Sequence, residues 1–422
     1  MAGAAARRMY HLCVHAIFLW ACISLVSPPG SPGRTRWCRD DSACAPRDAC
    51  LVRADDTEDG ASDDCRSLPW PRAGASHRED DSRVNVVYAS DARGITLMLA
   101  SLHSVLRSSE RPQRLTFTVI LPNVADARRE DSTWMAEVCR KILRRRHVAP
   151  SLFCALPSSL PPCERIGHAG EACSCEGNDR FRLIPFTDAM LGEMASIRRL
   201  DAENAATIQA VPVTQRPELL SVANFARNHI YEVSARFPEL GLARMVYLDI
   251  DTVVLRDIGD LYDRGFEAIH DGDHTTTCMA AVRRCDRTMD YFYNMESETV
   301  RNSMDAGDCY INAGVFVLDI DRYVALGIPQ RIAALQAEHI AGGRLWHEGA
   351  HQPSFVLALH NHTVTHGVDE RWNVSGLGWN STKTQRELAN AFILHWSGEK
   401  KPDARGGLYK EVWHELQRIN HS

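Results

Sequence analysis

Two aspartates separated by one isoleucine stand inside the most apolar stretch of the chain. They are Asp249 and Asp251, within YLDIDTVVL (247–255). Side chains alternate along a strand, so two acids two positions apart would point to the same side. Carboxylates flanked by apolar residues are costly unless they bind something. Paired carboxylate oxygens suit Mn²⁺ or Mg²⁺, and such a metal would in turn hold a diphosphate. An Asp-x-Asp at a strand end whose acids merely face solvent is the alternative.

The segments that must position these acids have the pattern of an α/β protein. Continuous apolar runs predict buried strands over 84–90, 115–122, 180–186, 244–255, 310–320 and 390–396. Helical spacing of apolar residues predicts helices over 94–106, 131–147, 190–200 and 219–237. The initial β-α-β-α order indicates a parallel sheet with helices on both faces. Ligands of such a sheet bind at the carboxyl ends of its strands.

Length and composition exclude several classes of protein. The chain has 422 residues, of which 45 % are hydrophobic and 24 % are charged, so it is not mainly disordered, collagenous or a coiled coil. Its formal net charge of −6 argues against a general nucleic-acid binder, which usually carries a basic field. No internal repeat and no signal for an oligomeric state is evident.

The N-terminus predicts entry into the secretory pathway. An apolar run over 9–26 follows Arg7 and Arg8 and precedes a Pro- and Gly-rich stretch. We expect a signal anchor over 9–26 with a cytosolic tail over 1–8, because basic residues flank membrane spans on the cytosolic side. A cleaved signal peptide is the alternative, since the run is short for a span. Either way, the rest of the chain is expected in the lumen.

Cysteine usage agrees with an oxidising compartment. Residues 27–83 read as a stem with four cysteines, for which disulfides are expected and a zinc site is the alternative. Residues 148–179 read as a Cys-rich surface insertion. Removing the two cysteines of the apolar run from the 14 leaves 12, an even number. Three Asn-x-Ser/Thr sequons begin at Asn361, Asn373 and Asn380.

Six motifs together carry a resemblance to a known family. They are VVYASD (86–91), NFAR (224–227), YLDIDTVVLRDIGDLY (247–262), YINAGVFVLDI (310–320), ERWNVSGLGWN (370–380) and LHWSGEKKP (394–402). In this order they resemble the family 8 glycosyltransferases, which are retaining enzymes of the GT-A fold. The last two look most like the plant galacturonosyltransferase-like branch. The resemblance implies a catalytic domain over 84–422, with a Rossmann-like mixed sheet flanked by helices.

The resemblance also implies a role for each matching residue. It assigns the metal to Asp249, Asp251 and His395, since a neutral imidazole suits Mn²⁺ beside two carboxylates. Taken alone, His395 would read as a core histidine and Lys401 as a surface charge. The remaining implied contacts are uracil and ribose with Ala89 and Asp91, the diphosphate with Gly398 and Lys401, and the donor sugar with Arg227, Asn312 and Gln352.

Two positions depart from the family pattern. His351 stands where many members have an acid, whereas the next residue, Gln352, keeps the family's amide beneath the sugar. Asp403 follows Lys-Pro where the family normally has Trp. These departures motivate one alternative, a catalytically silent relative that acts as a binding or scaffold subunit. A nucleotidyltransferase is another alternative, but it gives the motif around His395 no role.

The resemblance implies a Mn²⁺-dependent retaining glycosyltransferase of the Golgi membrane. It would move a hexosyl or hexuronosyl group from a UDP-sugar to a hydroxyl of a glycan or polysaccharide. UDP-galacturonate is the first choice of donor, with Arg227 or Arg371 as the cationic partner of its carboxylate. UDP-galactose, UDP-glucose and UDP-xylose remain open.

Overall fold

A computed structural model describes residues 83–91, 94–122, 173–175, 178–186, 221–267, 276–347, 352–364, 368–380 and 382–418. Strands within these ranges are β1 (Val84–Ala89), β2 (Leu115–Pro122), β3 (Cys173–Cys175), β4 (Asn178–Phe186), β5 (Arg244–Leu248), β6 (Thr252–Val254), β7 (Met279–Thr288), β8 (Cys309–Asp319), β9 (Thr363–Val364) and β10 (Ile393–His395). Eight of these strands form one sheet, in the order β3-β4-β2-β1-β5-β8-β7-β9, and β6 pairs with β10 in a second.

The large sheet is mixed rather than parallel. Strands β4, β2, β1 and β5 run parallel to one another. Strand β8 is antiparallel to β5 and to β7, and β3 is antiparallel to β4. Strand β9 is parallel to β7. The parallel arrangement predicted from the β-α-β-α order therefore holds for β4, β2, β1 and β5 but not for the whole sheet. The mixed sheet implied by the family resemblance is the one observed.

Short helices and turns of helix connect the strands. The α-helices are α1 (Ile95–Ser108), α2 (Val222–Phe225), α3 (Ile230–Arg236), α4 (Ile258–Arg264), α5 (Met289–Phe292), α6 (Glu298–Arg301), α7 (Ile320–Ala325), α8 (Ile328–Glu338), α9 (Gln352–Leu359), α10 (Gln385–Asn390) and α11 (Lys410–Arg418). A five-residue π-helix (His339–Gly343) extends α8. Turns of 3₁₀-helix occur at Pro112–Arg114, Ala226–His229, Pro238–Leu240, His360–His362 and Glu370–Asn373.

Both faces of the large sheet are buried under helices. Side chains of β1 alternate between two hydrophobic clusters: Val86 and Tyr88 pack with α1 and α4, whereas Val87 packs with α2, α3, α8 and α9. This explains why the strand reads as one continuous apolar run, since neither of its faces meets water. The small β6–β10 sheet packs against α1 in a third cluster, which contains Val253 and Trp396.

The apolar run 244–255 is two strands and not the single strand predicted. Strand β5 ends at Leu248, paired with Val315 of β8, and β6 begins at Thr252, paired with His395 of β10. The Asp-Ile-Asp segment is the turn between them. The run stayed apolar across this break because β6 is itself buried, in a different sheet. The two acids therefore meet through a turn and not through strand alternation.

The structure confirms most of the other predicted elements that lie within the described residues. Strands over 84–90, 115–122, 180–186 and 310–320 are confirmed within one or two residues, and the helix predicted over 94–106 is confirmed as α1. The strand over 390–396 shrinks to three residues. The helical stretch predicted over 219–237 is confirmed over 222–236, where α2, a 3₁₀ turn and α3 follow one another without a break. Strands β7 and β9 were not predicted.

Several predictions lie outside the described residues. These are the tail and anchor (1–26), nearly all of the stem (27–83), most of the insertion (148–179), and the helices over 131–147 and 190–200. Among the described helices, none is both long and apolar enough to cross a bilayer. One disulfide that the sequence did not predict, Cys285–Cys309, links β7 to β8.

A histidine fastens the loop that leads towards α9. The ring of His339 stacks on Trp346, with 3.7 Å between ring centroids, and its Nδ1 accepts a hydrogen bond from the Leu345 amide. Burial, together with the nearby charge of Arg344, lowers the pKa of His339 from 6.5 to about 4. The imidazole is therefore neutral at physiological pH, as its role as an acceptor requires.

This histidine should make folding stability depend on pH. Its pKa in the folded protein (about 4) lies below 6.5, so the unfolded chain binds more protons between these values. The contribution of His339 to the free energy of unfolding should fall as pH drops from 6.5 to about 4, and should not change further below that. Urea unfolding across this range should give a flatter pH dependence for His339→Asn than for wild type. His347→Asn, at an exposed histidine, is the control and should follow wild type. Equal slopes for all three chains would contradict the assignment.

Candidate active site

Three potential metal ligands meet where the two sheets join. Asp249 follows the end of β5, Asp251 precedes β6, and His395 ends β10. One ligand atom from each lies within 4.8 Å of the others. The Nε2 atom of His395 is 3.6 Å from an oxygen of Asp249 and 3.5 Å from an oxygen of Asp251. The sequence-predicted triad is therefore assembled, with ligands drawn from both sheets.

The free nitrogen of His395 is the strongest sign that the triad binds a cation. Its Nδ1 lies 2.9 Å from the Oδ1 of Asn373, and its Nε2 is buried with no hydrogen-bond partner among the described residues. A buried polar atom without a partner costs about 1–3 kcal/mol. A divalent metal would use its lone pair, and the set of two carboxylates and one imidazole fits Mn²⁺ or Mg²⁺. The residues thus fit the metal that the resemblance implies.

Lys401 compensates the charge of the more buried acid. The side chain of Asp251 is almost inaccessible, and its carboxylate pairs with Nζ of Lys401, which also donates to the Trp396 carbonyl. Burial raises the pKa of Asp251, but the positive charge of Lys401 outweighs burial and holds that pKa well below its ordinary value. Asp251 is therefore anionic across the physiological range.

Arg227 compensates the other acid. Its guanidinium is 2 % exposed and donates to Asp249 over 2.8 Å, and it also bonds the carbonyls of Ala313 and Asn224. Burial opposes the charge of Arg227, but Asp249 and Tyr247 outweigh it and raise its pKa. In this structure Arg227 holds the strand end and the acid together. Its predicted contact with the donor sugar stays a prediction.

A buried chain of hydroxyl groups supports the turn between the acids. Tyr88 bonds Ser101 over 3.1 Å, Ser101 bonds Thr252 over 2.7 Å, and the Thr252 hydroxyl donates to the Asp249 carbonyl over 2.8 Å. Each member is fully buried, so each needs its partner. The chain fixes the turn from the side of α1 and β1. Sequence reasoning gave none of these hydroxyls a role.

Two glycines permit close approaches at the site. A Cβ at Gly314 would lie 2.3 Å from Cε1 of His395 and 2.5 Å from an oxygen of Asp249. Gly398 adopts φ +122°, and a Cβ there would lie 2.4 Å from the backbone of Gly378. Only glycine meets both requirements at 398. This contact brings the turn at 376–378 against the segment that carries Lys401.

The residues predicted to bind the nucleotide lie at the end of β1 and just after it. Ala89 ends that strand, and Asp91 accepts a hydrogen bond from the Gly94 amide over 2.9 Å. The other oxygen of Asp91 lies 3.3 Å from the Ser221 hydroxyl. Ile250, between the two metal-site acids, packs toward Gly94, where a Cβ would be 2.3 Å from its Cδ1. The segment around Asp91 therefore adjoins the turn that carries the acids.

The predicted sugar-binding amides lie on the opposite side, along β8. Asn312 accepts from the Gly314 amide over 3.0 Å, and Asn373 donates to it over 3.4 Å. Gln352 begins α9 and donates to the Tyr310 hydroxyl. Its neighbour His351 is outside the described residues. The two amides thus share the β8 segment that precedes Gly314.

Replacing Gly314 by alanine should disrupt the triad without unfolding the chain. Its added methyl group would overlap His395 and Asp249, so we expect Mn²⁺ affinity, measured by calorimetry, to fall about tenfold or more. Gly307→Ala is the matched control, since a Cβ there meets nothing within 4 Å. Circular dichroism should be unchanged in both variants. A Gly314→Ala protein that binds the metal as wild type does would contradict this geometry.

One family profile matches most of the chain. The sequence profile described as Glycosyl transferase family 8 matches residues 85–405. A solved structure of the galactosyltransferase LgtC, in complex with donor and acceptor sugar analogs, is similar over 80 % of this chain and 96 % of its own, with a TM-score of 0.46 and 15 % identity.

The curated relatives match only part of this chain and part of their own length. The probable galacturonosyltransferase 4 of Arabidopsis thaliana is 26 % identical over 201 residues, which are 47 % of this chain and 30 % of that protein. Glycosyltransferase 8 domain-containing protein 1 of Xenopus tropicalis is 28 % identical over 184 residues, 40 % of this chain and 49 % of that protein. The matches thus span half or less of these relatives. Since the family profile covers most of the chain, including the triad, the protein belongs to glycosyl transferase family 8.

Proposed function

We propose that this protein is a metal-dependent glycosyltransferase that uses a UDP-sugar and retains the configuration of the transferred sugar. The unpartnered, buried Nε2 of His395 beside Asp249 and Asp251 carries the proposal. Without a cation, the buried nitrogen lacks a hydrogen-bond partner among the described residues, which costs stability. A Mn²⁺ or Mg²⁺ site requires such a free lone pair beside carboxylates. Family membership and the names of the relatives support glycosyl transfer as the reaction.

Asp249, Asp251 and His395 would hold the metal, which supplies positive charge to the diphosphate as UDP leaves. Lys401 would add a second positive charge to the leaving group, where electrostatic stabilisation of a transition state is largest. Gly398 would let the backbone approach the diphosphate. Asp91 and Ala89 would contact the ribose and uracil.

The sugar would lie between β8 and the start of α9. Asn312 and Gln352 would bond its hydroxyls. The bond from the anomeric carbon to the phosphate oxygen breaks, and a bond to the acceptor hydroxyl oxygen forms on the same face. The departing phosphate oxygen takes the proton of that hydroxyl. Retention of configuration follows from attack on the face that UDP leaves.

The donor is proposed to carry a hexosyl or hexuronosyl group. Galacturonosyl is favoured by the relatives' names alone. Both cations considered for a uronate carboxylate have protein partners: Arg227 bonds Asp249, and Arg371 bonds Asp369 while lying over the ring of Phe392. A uronate donor would therefore have to displace one of these pairs, and a hexose would not. The acceptor is proposed to be a glycan or polysaccharide.

The proposed location is the Golgi membrane, with the catalytic domain in the lumen. A signal anchor over 9–26 and a stem over 27–83 would tether it. The apolar run and its basic flank support this, and the relatives' names agree with polysaccharide synthesis. Secretion after signal cleavage is the alternative, and N-terminal sequencing of the mature chain distinguishes the two.

Binding of UDP should require the metal and Asp251. Calorimetry of the wild-type chain with UDP should give binding in the presence of Mn²⁺ and little in its absence. Asp251→Asn keeps the side-chain shape but removes the charge, so we expect it to lose most metal-dependent binding. Asp260→Asn, at a surface acid paired with Arg256, is the control and should bind as wild type does. A folded wild-type chain that ignores UDP and Mn²⁺ would favour a silent scaffold subunit instead.

Lys401 should act on the leaving group in addition to compensating the charge of Asp251. Lys401→Met should lower kcat for UDP release about a hundredfold or more, because a transition-state charge contact is lost. Lys400→Met changes the neighbouring, exposed lysine and should leave kcat unchanged. UDP-sugar hydrolysis or transfer, measured by UDP release with each candidate donor, provides the rates. Equal kcat values for the two variants would remove Lys401 from the proposed mechanism.

A further inference from the structure

Asn373 is a buried residue at the start of a glycosylation sequon. The sequon is Asn373-Val374-Ser375, and the Asn373 side chain is 4 % exposed. Its Oδ1 lies 2.9 Å from Nδ1 of His395, and its Nδ2 lies 3.4 Å from both the carbonyl oxygen and the side-chain oxygen of Asn312. Both polar atoms of the side-chain amide therefore have hydrogen-bond partners. No motif of the sequence had given it this position.

The direction of these contacts determines the protonation of the histidine. Because Nδ2 of Asn373 points to two acceptor oxygens, its Oδ1 is the atom that faces His395. An amide oxygen can only accept, so Nδ1 of the imidazole must carry the hydrogen. In the neutral imidazole, the form that can bind a metal, the lone pair is then on Nε2, the nitrogen that faces Asp249 and Asp251. Which nitrogen of a histidine can bind a metal is set by the hydrogen bond that the other nitrogen makes.

We propose that Asn373 is the positioning residue that holds His395 in the Nδ1–H tautomer, and that its sequon is consequently unglycosylated in the functional protein. The first part rests on the proposed metal site, since it prepares Nε2 for a cation. The side chain of Asn373 bonds His395 and Asn312. It acts through the imidazole.

The same contacts exclude a glycan. N-glycosylation would attach a sugar to Nδ2, but Asn373 is buried and Nδ2 lies against Asn312, so a sugar there would displace this contact. A glycan added before folding would force Asn373 out of its place and remove the acceptor from Nδ1. The sequons at Asn361 and Asn380 differ, because both asparagines are exposed. They are the positions of the described chain where a glycan fits.

The tautomer can be read directly in the metal-free protein. Long-range ¹H–¹⁵N spectra of the full chain labelled with ¹⁵N-histidine distinguish Nδ1–H from Nε2–H, and loss of one signal set in His395→Gln assigns the residue. Wild type should give the Nδ1–H pattern. Asn373→Leu, which removes the acceptor, should shift His395 toward Nε2–H. Ser375→Ala destroys the sequon but keeps the asparagine, so it should retain the wild-type pattern.

Metal affinity provides the second readout. Asn373→Leu should weaken Mn²⁺ binding about 10- to 100-fold, the usual cost of removing a partner of a ligating histidine. Asn373→Asp restores an acceptor oxygen and should recover most of the affinity, even if its second oxygen, facing Asn312, lowers stability. Ser375→Ala should bind as wild type does. A merely structural role would not predict rescue by aspartate.

The outcomes separate this inference from the proposed function. If wild type gives the Nδ1–H pattern but binds no Mn²⁺, the metal site fails while the tautomer assignment stands. If wild type binds Mn²⁺ and Asn373→Leu binds it equally well, the inference is overturned and the metal site stands. A wild-type Nε2–H pattern also overturns the inference.

Mass spectrometry of protein made in a glycosylating secretory host tests the second part. We expect Asn373 to be unmodified in the fraction that binds Mn²⁺. Any glycan at Asn373 should be confined to misfolded or non-binding protein. Full occupancy of Asn373 in protein that binds the metal normally would refute the proposed exclusion of the glycan.

Discussion

Two carboxylates held close together, Asp251 buried and Asp249 partly buried, impose the constraint that the site must satisfy. At a separation of about 5 Å and an effective dielectric constant of about 20, their repulsion is on the order of 3 kcal/mol, a large share of the stability of a domain. Arg227 balances Asp249 and Lys401 balances Asp251, one from each side. The Nε2 atom of His395 faces both acids. A cation between the three groups would relieve the remaining repulsion and use the lone pair of that nitrogen.

The constraint explains why the site lies at a junction between two sheets. A single strand through 244–255 would have carried both acids along one edge, with no element to bring a histidine against them. The chain instead leaves the large sheet after Leu248 and enters the small one at Thr252, where β10 delivers His395 in register. The hydroxyl chain from Tyr88 to Thr252 fixes the turn on one side, and Gly314 leaves room on the other. The candidate ligands are thus held by two sheets, of which the small one packs on α1.

Sequence alone predicted what depends on local pattern. Strands β1, β2 and β8 were readable because burial on both faces leaves a continuous apolar run, and the triad was readable because its motifs resemble those of a family. The break after Leu248 was not readable, because both halves of the run are buried in different sheets. The roles of Ser101, Gly314 and Asn373 depend on contacts between residues far apart in the chain, and neither residue type nor spacing encodes them. Strand β7 was missed because its second half, from Arg283, is polar and leaves the core.

The position of Asn312 connects the metal ligands to the residues proposed to bind the sugar. Its side-chain oxygen accepts from the Gly314 amide and lies within reach of Asn373, while its strand neighbour Ile311 lies within reach of Gln352. Gly314 must stay small for His395 to approach Asp249, and Asn373 must face His395. The same few atoms therefore position both the candidate metal ligands and the amide proposed to face the sugar. Groups that share partners in this way do not act independently. A change of donor preference in this protein would consequently be expected to alter metal affinity as well, because Asn312 contacts Gly314 and Asn373 on the side of the triad and is itself proposed to bind the sugar.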